Sequence, residues 1–236
     1  MANPNRLVPL ILATTLLAGC GRTNHGHDWF PLRDGDQMVY EVKTWEDQSD
    51  ELPTEESWTL RTEGPLAWEG QSLMTRHHSA GIRYWFRVDE SGIRRVATQA
   101  DIDAEPTADP EPVWVLKAPF EVGQEWTGPT VPYLILRRNE HPRELRYTHK
   151  VQMTWRIESV NETLKLADGS EHGPCLKLVG RAFLNLYTDP VNGFSDVPLI
   201  SREWYCQGKG LVRFEREEKV PPGFMTGGIL HAEWRR

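Results

Sequence analysis

The chain has 236 residues, 26% of them charged, with 34 Asp and Glu against 27 Lys and Arg and a formal net charge of −7. An acidic balance without a sustained basic run gives no electrostatic footprint for nucleic acid or for an anionic lipid surface. The length can bury a sizeable core as one all-β domain or two small ones, and no apolar run reaches the roughly 20 residues that a membrane-spanning helix needs.

Residues 1–19 read as a signal peptide. Arg6 precedes a 12-residue apolar run, Leu7 to Ala18, interrupted by Pro9. The run is too short to span a bilayer and suits a signal-peptide core. Leu17-Ala18-Gly19-Cys20 closes it, and these four residues resemble a bacterial lipobox. The small residues let the backbone enter a peptidase cleft, and Cys20 supplies the nucleophilic sulfur. The resemblance implies cleavage before Cys20, a diacylglycerol on its thiol and an N-acyl chain of the palmitate type. Each buried CH₂ contributes about 0.8 kcal/mol, so several chains on one residue make a lasting anchor. Gly21, rather than Asp, follows the cysteine. By resemblance to Gram-negative lipoproteins this favours the outer membrane, with the domain facing the periplasm. Loss of residues 1–19 removes one cation and no acid, leaving a net charge of −8.

Residues 20–28 form the acylated cysteine and a polar tether, and eight extended residues reach at most about 29 Å. His25-Gly26-His27-Asp28 carries metal-ligand side chains. On a flexible segment they lack fixed geometry, so no metal is expected.

From Trp29 onward the pattern is β. A first meander is expected over 29–99, with a strand over Met38 to Trp45 and a hairpin from Gly81 to Val96 around Glu90-Ser91-Gly92. Residues 100–115 are acidic and proline-rich and read as a long surface loop. A second meander follows over 116–219. In it, Val151 to Glu158 alternates strictly between apolar and polar, as a half-buried strand does. Tyr133 to Ile157 reads as a hairpin turning at Asn139 to Arg143, with a basic tip. Leu164 to Ala182 reads as another, turning at Ala167-Asp168-Gly169. Residues 220–236 read as a tail.

The two halves resemble each other. Leu32-x-x-Gly35-x-x-Met38 opens the first and Phe120-x-x-Gly123-x-x-Trp126 the second. Trp85-Phe86-Arg87-Val88 turns through Gly92, and Trp204-Tyr205-Cys206-Gln207 turns through Gly208 and Gly210. Gly35, Gly92, Gly123 and Gly210 are expected at tight turns that need unusual backbone angles. Two meanders of four or five strands with no helices must curl or pack together. The expected fold is therefore all-β: a strongly curved antiparallel sheet, either a half-open barrel or a sandwich.

With Cys20 acylated, Cys175 and Cys206 remain as a pair, read as one disulfide in an oxidising compartment. It closes a loop of about 30 residues, a stabilisation of roughly 3–4 kcal/mol in the chain-entropy model. The 10 tryptophans suit half-buried pleated surfaces. They serve either as core packing or as the lining of an apolar cavity.

Trp29-Phe30-Pro31-Leu32-x-x-Gly35, the internal Phe120-x-x-Gly123-x-x-Trp126, and Glu203-Trp204-Tyr205 with Gly208-Lys209-Gly210-Leu211-Val212 carry a wider resemblance. They are similar to a group of uncharacterised bacterial lipoproteins and periplasmic proteins built on an open β-barrel. More distantly, they are similar to carriers of the LolA/LolB type, which hold acyl chains in a half-barrel. The resemblance implies a fold rather than an activity.

No nucleophile elbow, zinc-protease helix or phosphate loop is present, so no catalytic residue is assigned. Asp168-Gly169-Ser170-Glu171-His172 clusters an acid, a serine and a histidine, but neighbours on one turn rarely form a relay. His77 and His78 point to opposite faces of a strand. The leading expectation is a non-catalytic envelope lipoprotein whose β domain binds a protein partner or assembly. The alternatives are a carrier for lipid or another apolar ligand, and more remotely a hydrolase. A filled core favours the partner module, and an open concavity favours the carrier.

Overall fold

The computed structural model describes residues 24–137, 145–191 and 193–235. The signal peptide, Cys20, the start of the tether and the turn of the basic hairpin lie outside them. Six strands form the first half: β1 (Gln37–Glu46), β2 (Thr54–Trp68), β3 (Gln71–His78), β4 (Ile82–Asp89), β5 (Gly92–Ala100) and β6 (Thr107–Lys117). After β7 (Glu125–Thr130) come the two-residue pieces β8 (Leu136–Arg137) and β9 (Leu145–Arg146). Then follow β10 (Val151–Lys165), β11 (Glu171–Asp189), β12 (Gly193–Cys206), β13 (Gly210–Glu218), the short β14 (Met225–Thr226) and β15 (Gly228–Arg235).

Twelve of these strands form one antiparallel sheet in the order β6-β5-β4-β3-β2-β1-β15-β13-β12-β11-β10-β7. The short β14, β8 and β9 make a separate three-stranded sheet. In the large sheet every strand pairs with its neighbour in the meander, and β15 returns to pair with β1 and β13. The two edges, β6 and β7, are consecutive in the chain and face each other without a ladder. The sheet is thus an up-and-down barrel, nearly closed, with one unsealed seam. Of the two expected architectures the barrel is the one formed, and the described residues contain no helix.

The internal repeat is visible in hydrogen bonds. Gly35 N–H donates to Thr62 O at 2.9 Å, and Thr62 N–H donates back to Asp36 O at 2.8 Å. In the second half Gly123 N–H donates to Ile157 O at 2.9 Å, and Ile157 N–H donates back to Gln124 O at 3.0 Å. Register shifts fall between Trp85 and Phe86 in β4 and between Trp204 and Tyr205 in β12. In each case the extra residue lies in the partner strand, Val96 in β5 and Val212 in β13, and it joins the tryptophan on the outer face, while the next aromatic points inward by ordinary alternation. Outside the barrel, Trp85 packs with Leu73, Val96 and Ala97, and Trp204 packs with Leu164, Leu166 and Val212. Cys175 and Cys206 face each other across β11 and β12 within this second outer cluster and are joined by a disulfide.

Two expected boundaries move. Only the start of 100–115 is a turn, because Thr107–Lys117 forms β6 and pairs with β5. Pro110 and Pro112 are tolerated there because an edge strand can leave amide positions unpaired. The 220–236 tail contains β15, a central strand with Leu230 and Ala232 buried. Each half therefore has six strands rather than four or five. Nor is Tyr133 to Ile157 a simple hairpin of the sheet, since the chain from Tyr133 turns into the barrel before β8.

The interior is filled unevenly. At one end the segment 24–36 closes the barrel, with Phe30 and Leu32 buried and Gly208 N–H donating to Asp28 O at 2.7 Å. In the second half, Leu134 and Ile135 are buried inside. They are held by Glu218, whose carboxylate accepts from the Tyr133 and Leu134 amides at 3.1 and 2.9 Å. Arg216 Nε donates to the same carboxylate at 2.7 Å, with both side chains fully buried. Removing one partner of such a pair strands the other charge, at a cost of about 3–5 kcal/mol. Glu218→Ala will lower unfolding stability by about that amount in urea titration and expose the 131–137 segment to protease. A loss below about 1 kcal/mol would mean that the pair does not hold the insert.

Candidate functional site

The half of the barrel that the insert leaves open holds a cavity of about 820 Å³. That lies in the range of sites that enclose small ligands. Its walls come from inward positions of β1 to β6, β12, β13 and β15, together with Tyr133, Leu134 and Leu136 of the insert. Most of the wall is apolar, including Trp58, Leu60, Val113, Phe214 and Leu230. The mouth lies at the β1–β2 turn, among Ser49, Glu51 and Leu52, with Leu52 91% exposed. The floor lies against the closing segment at Phe30. From Tyr40 near the floor to Glu46 near the mouth, six residues of β1 span roughly 20 Å.

The floor is polar and buried. Arg76 is buried, with its guanidinium 3.9 Å from the centroid of the Phe30 ring. Its Nη2 donates to Pro31 O at 2.8 Å. Tyr40 Oη donates to Leu211 O at 2.6 Å, and Tyr205 Oη donates to Glu203 Oε2 at 2.5 Å. Burial pushes the Tyr40 and Tyr205 hydroxyls upward and the Arg76 guanidinium downward. Burial also pushes the Glu203 carboxyl up to about 7, against the Tyr205 hydrogen bond and the Arg216 charge. The rim carries Glu46, Glu51, Glu56 and His78, while Arg95 is committed to Asp109 through two bonds of 2.8 and 2.9 Å.

The other residues singled out by sequence lie elsewhere. Gly35, Gly92, Gly123 and Gly210 have φ of 78°, 128°, 93° and 87°. At Gly92 a Cβ would also lie 2.3 Å from Leu116 O. His27 packs on the Phe120 ring, with centroids 4.6 Å apart. His77 bonds Asp101 at 2.7 Å on the outside, whereas His78 lines the cavity. Of the tryptophans, Trp58 lines the cavity and Trp85 and Trp204 fill the outer clusters.

The structure brings Ser170 and His172 together, with Oγ and Nε2 3.0 Å apart. Lys209 Nζ meets the other ring nitrogen, Nδ1. An ammonium can only donate, so Nδ1 accepts and Nε2 carries the proton. That proton points at the serine, which is the wrong polarity for a base that activates a nucleophile.

Sequence reasoning passed over Arg76, Glu203, Arg216 and Glu218. Their signal was a charge at an inward position of an alternating strand. In β13, Phe214, Arg216 and Glu218 fall on every second residue and all are buried or nearly so.

No family model and no curated protein matches the chain. Among solved structures it is similar to a "putative lipoprotein" from Parabacteroides distasonis, at 12% identity over 89% of this chain and 97% of that one, with a TM-score of 0.34. It is likewise similar to a "putative exported protein with YmcC-like fold" from Bacteroides fragilis, at 15% identity over 88% and 98%, with a TM-score of 0.34. Likeness at that level carries neither function nor site to this chain.

A carboxyl held neutral by the fold stabilises the folded state at low pH and loses that contribution as pH rises. For Glu203 the unfolded value is 4.5 and the folded value about 7. The contribution is complete below pH 4.5 and gone above about 7, a span of roughly 3 kcal/mol. Glu203→Gln will therefore flatten the decline of stability across that window relative to the unsubstituted protein. Parallel pH profiles for the two proteins would show that Glu203 is ionised in the fold.

Proposed function

We infer that the protein is a lipid-anchored envelope protein whose barrel holds an apolar ligand. One observation carries the reading: half of the barrel interior is an open, largely apolar cavity of about 820 Å³ rather than packed core. The sequence alone favours a partner-binding module, with a carrier as the alternative, and the open cavity reverses that order. The anchor rests on the lipobox-like Leu17-Ala18-Gly19-Cys20, with diacylglycerol and an N-acyl chain on Cys20 and the outer membrane favoured by Gly21.

The direction of the cavity adds to this reading. The closing segment that follows the tether sits at the floor, and the mouth opens at the opposite end of the barrel. The expected tether over 20–28 is shorter than its sequence suggests, because Asn24 to Asp28 are hydrogen-bonded into the closing segment. Three residues then join Cys20 to that segment, a reach of at most about 11 Å, and a protein held by Cys20 presents the mouth away from its own membrane. Cargo is then exchanged with something facing the anchor rather than with the anchoring bilayer.

A second reading, docking onto an envelope protein, is favoured by the β11–β12 ribbon. Phe183 and Phe194 are 71% and 67% exposed on its outer face, and the Tyr187 and Phe194 rings lie 5.3 Å apart. Exposed aromatic clusters of this kind mark interaction surfaces.

Native mass spectrometry of the chain from Gly21 onward, exported to the periplasm and then extracted with organic solvent, tests the carrier reading. It will show a defined extra mass that extracts as lipid. A ligand-free protein that also takes up no added lipid would overturn the reading in favour of the docking module. For the anchor, Cys20→Ala will leave the full-length protein soluble or uncleaved in fractionation. Processed protein that still partitions with membranes would show that Cys20 is not the anchor.

A further inference from the structure

The cavity reading leaves the nature of the ligand open, and Arg76 narrows it. This guanidinium is 96% buried, lines the cavity floor, and stays protonated under all physiological conditions. Among the described residues no carboxylate stands within ion-pair distance of it. Its only hydrogen bond there is the Nη2 contact to Pro31 O, and Nε has no partner. The Phe30 ring below it supplies a cation–π contact at 3.9 Å. Burying a cation without a counter-charge is costly, and interiors normally pair such groups. The same barrel shows the paired solution at Arg216, which faces the Glu218 carboxylate. The neighbouring hydroxyls supply no counter-charge, because Tyr40 and Tyr205 keep their protons and donate them to Leu211 O and Glu203.

Charge along the cavity sets a direction. The rim holds Glu46, Glu51 and Glu56, and the rim cation Arg95 is neutralised by Asp109. An anionic group is repelled at the mouth and attracted at the floor, where Arg76 is the fixed charge and the Glu203 carboxyl is kept protonated by burial below about pH 7. Between them run Trp58, Leu60, Phe214 and Leu230.

We propose that the cavity takes a single-chain amphiphile with an anionic head, bound head-first, so that the head pairs with Arg76 and the chain runs to the mouth. The proposal rests on the carrier reading and adds the class of ligand to it. Carboxylate and phosphate heads share the required chemistry, since each accepts charge-assisted bonds from a guanidinium.

Residues 24–235 contain every described strand and all of the described core, so the chain beginning at Gly21 is the protein to use. Its affinity is measured for palmitate, hexadecyl phosphate and hexadecanol, which share one chain and differ in the head. The acids will bind at least about tenfold more tightly than the alcohol, and the stronger of the two identifies the head. Arg76→Met will abolish that preference while retaining hexadecanol binding, and Arg76→Lys will keep part of it. Thermal unfolding of both variants reports whether the barrel survives loss of the Pro31 contact. If Arg76→Met does not fold, the acid-to-alcohol comparison in the unsubstituted protein still decides the question. Equal affinity for acid and alcohol, or an acid preference that persists in folded Arg76→Met, overturns the head assignment and leaves the carrier reading standing. Failure of all three ligands to bind overturns both.

Discussion

A barrel of twelve strands is wider than its own side chains can fill. Barrel diameter grows with strand number, and about eight strands already leave an interior that side chains just occupy. Every other feature of this protein answers that constraint. The 24–36 segment closes one end with Phe30 and Leu32. The Tyr133–Leu136 stretch folds inward and fills one half with Leu134 and Ile135. What these two devices leave is the cavity. It lies against β1 to β6 because the insert leaves the chain between β7 and β10 and occupies the other side.

Filling a barrel with backbone brings polar groups inside, and the insert shows how they are satisfied. Its amides have no strand partner at Tyr133 and Leu134, so the Glu218 carboxylate accepts from both, and Arg216 balances the charge. This polar unit is complete, and a fully satisfied buried network fixes one arrangement of the insert. The floor at Arg76 follows the same chemistry with one element fewer. There the cation has a carbonyl and an aromatic face, and among the described residues no carboxylate within ion-pair distance, with Asp36 acting only from farther off. The contrast between two buried arginines in one barrel, one paired and one not, gives the floor its significance.

Much of the architecture was legible in the sequence because period-two alternation and turn glycines are local signals. Gly92 and the Ala167-Asp168-Gly169 turn sit at hairpins of the sheet, and the equal spacing around Gly35 and Gly123 corresponds to equivalent hydrogen bonds in both halves. The two strands missed had local reasons. In β6, Pro110 and Pro112 resemble loop punctuation, and only its edge position makes them compatible with a strand. β15 follows Pro221, Pro222 and several glycines, and its place is set by pairing with β1, nearly two hundred residues earlier. Whether the interior is open or filled was not legible, and the sequence left an apolar cavity and a packed core as alternatives. Alternation says which side chains face inward, but whether they meet depends on strand number and closure. The charges at Arg76 and Glu203 were readable as inward polar positions, yet their environment is assembled from strands distant in sequence. Ser170 and His172 were close in sequence and are bonded, but the polarity of that bond depends on Lys209 from another hairpin.

The central claim is that the open half of the barrel is a ligand site with a floor and a mouth. The most direct test is a crystal structure of the chain from Gly21 grown with a fatty acid brominated at its chain terminus, with the bromine located by anomalous scattering. The account predicts a bromine peak near the mouth, by Leu52 and Leu136, and continuous density leading down to Arg76. A bromine peak on the outer face of the β11–β12 ribbon, or a barrel whose walls have closed on one another with no density between them, would contradict it.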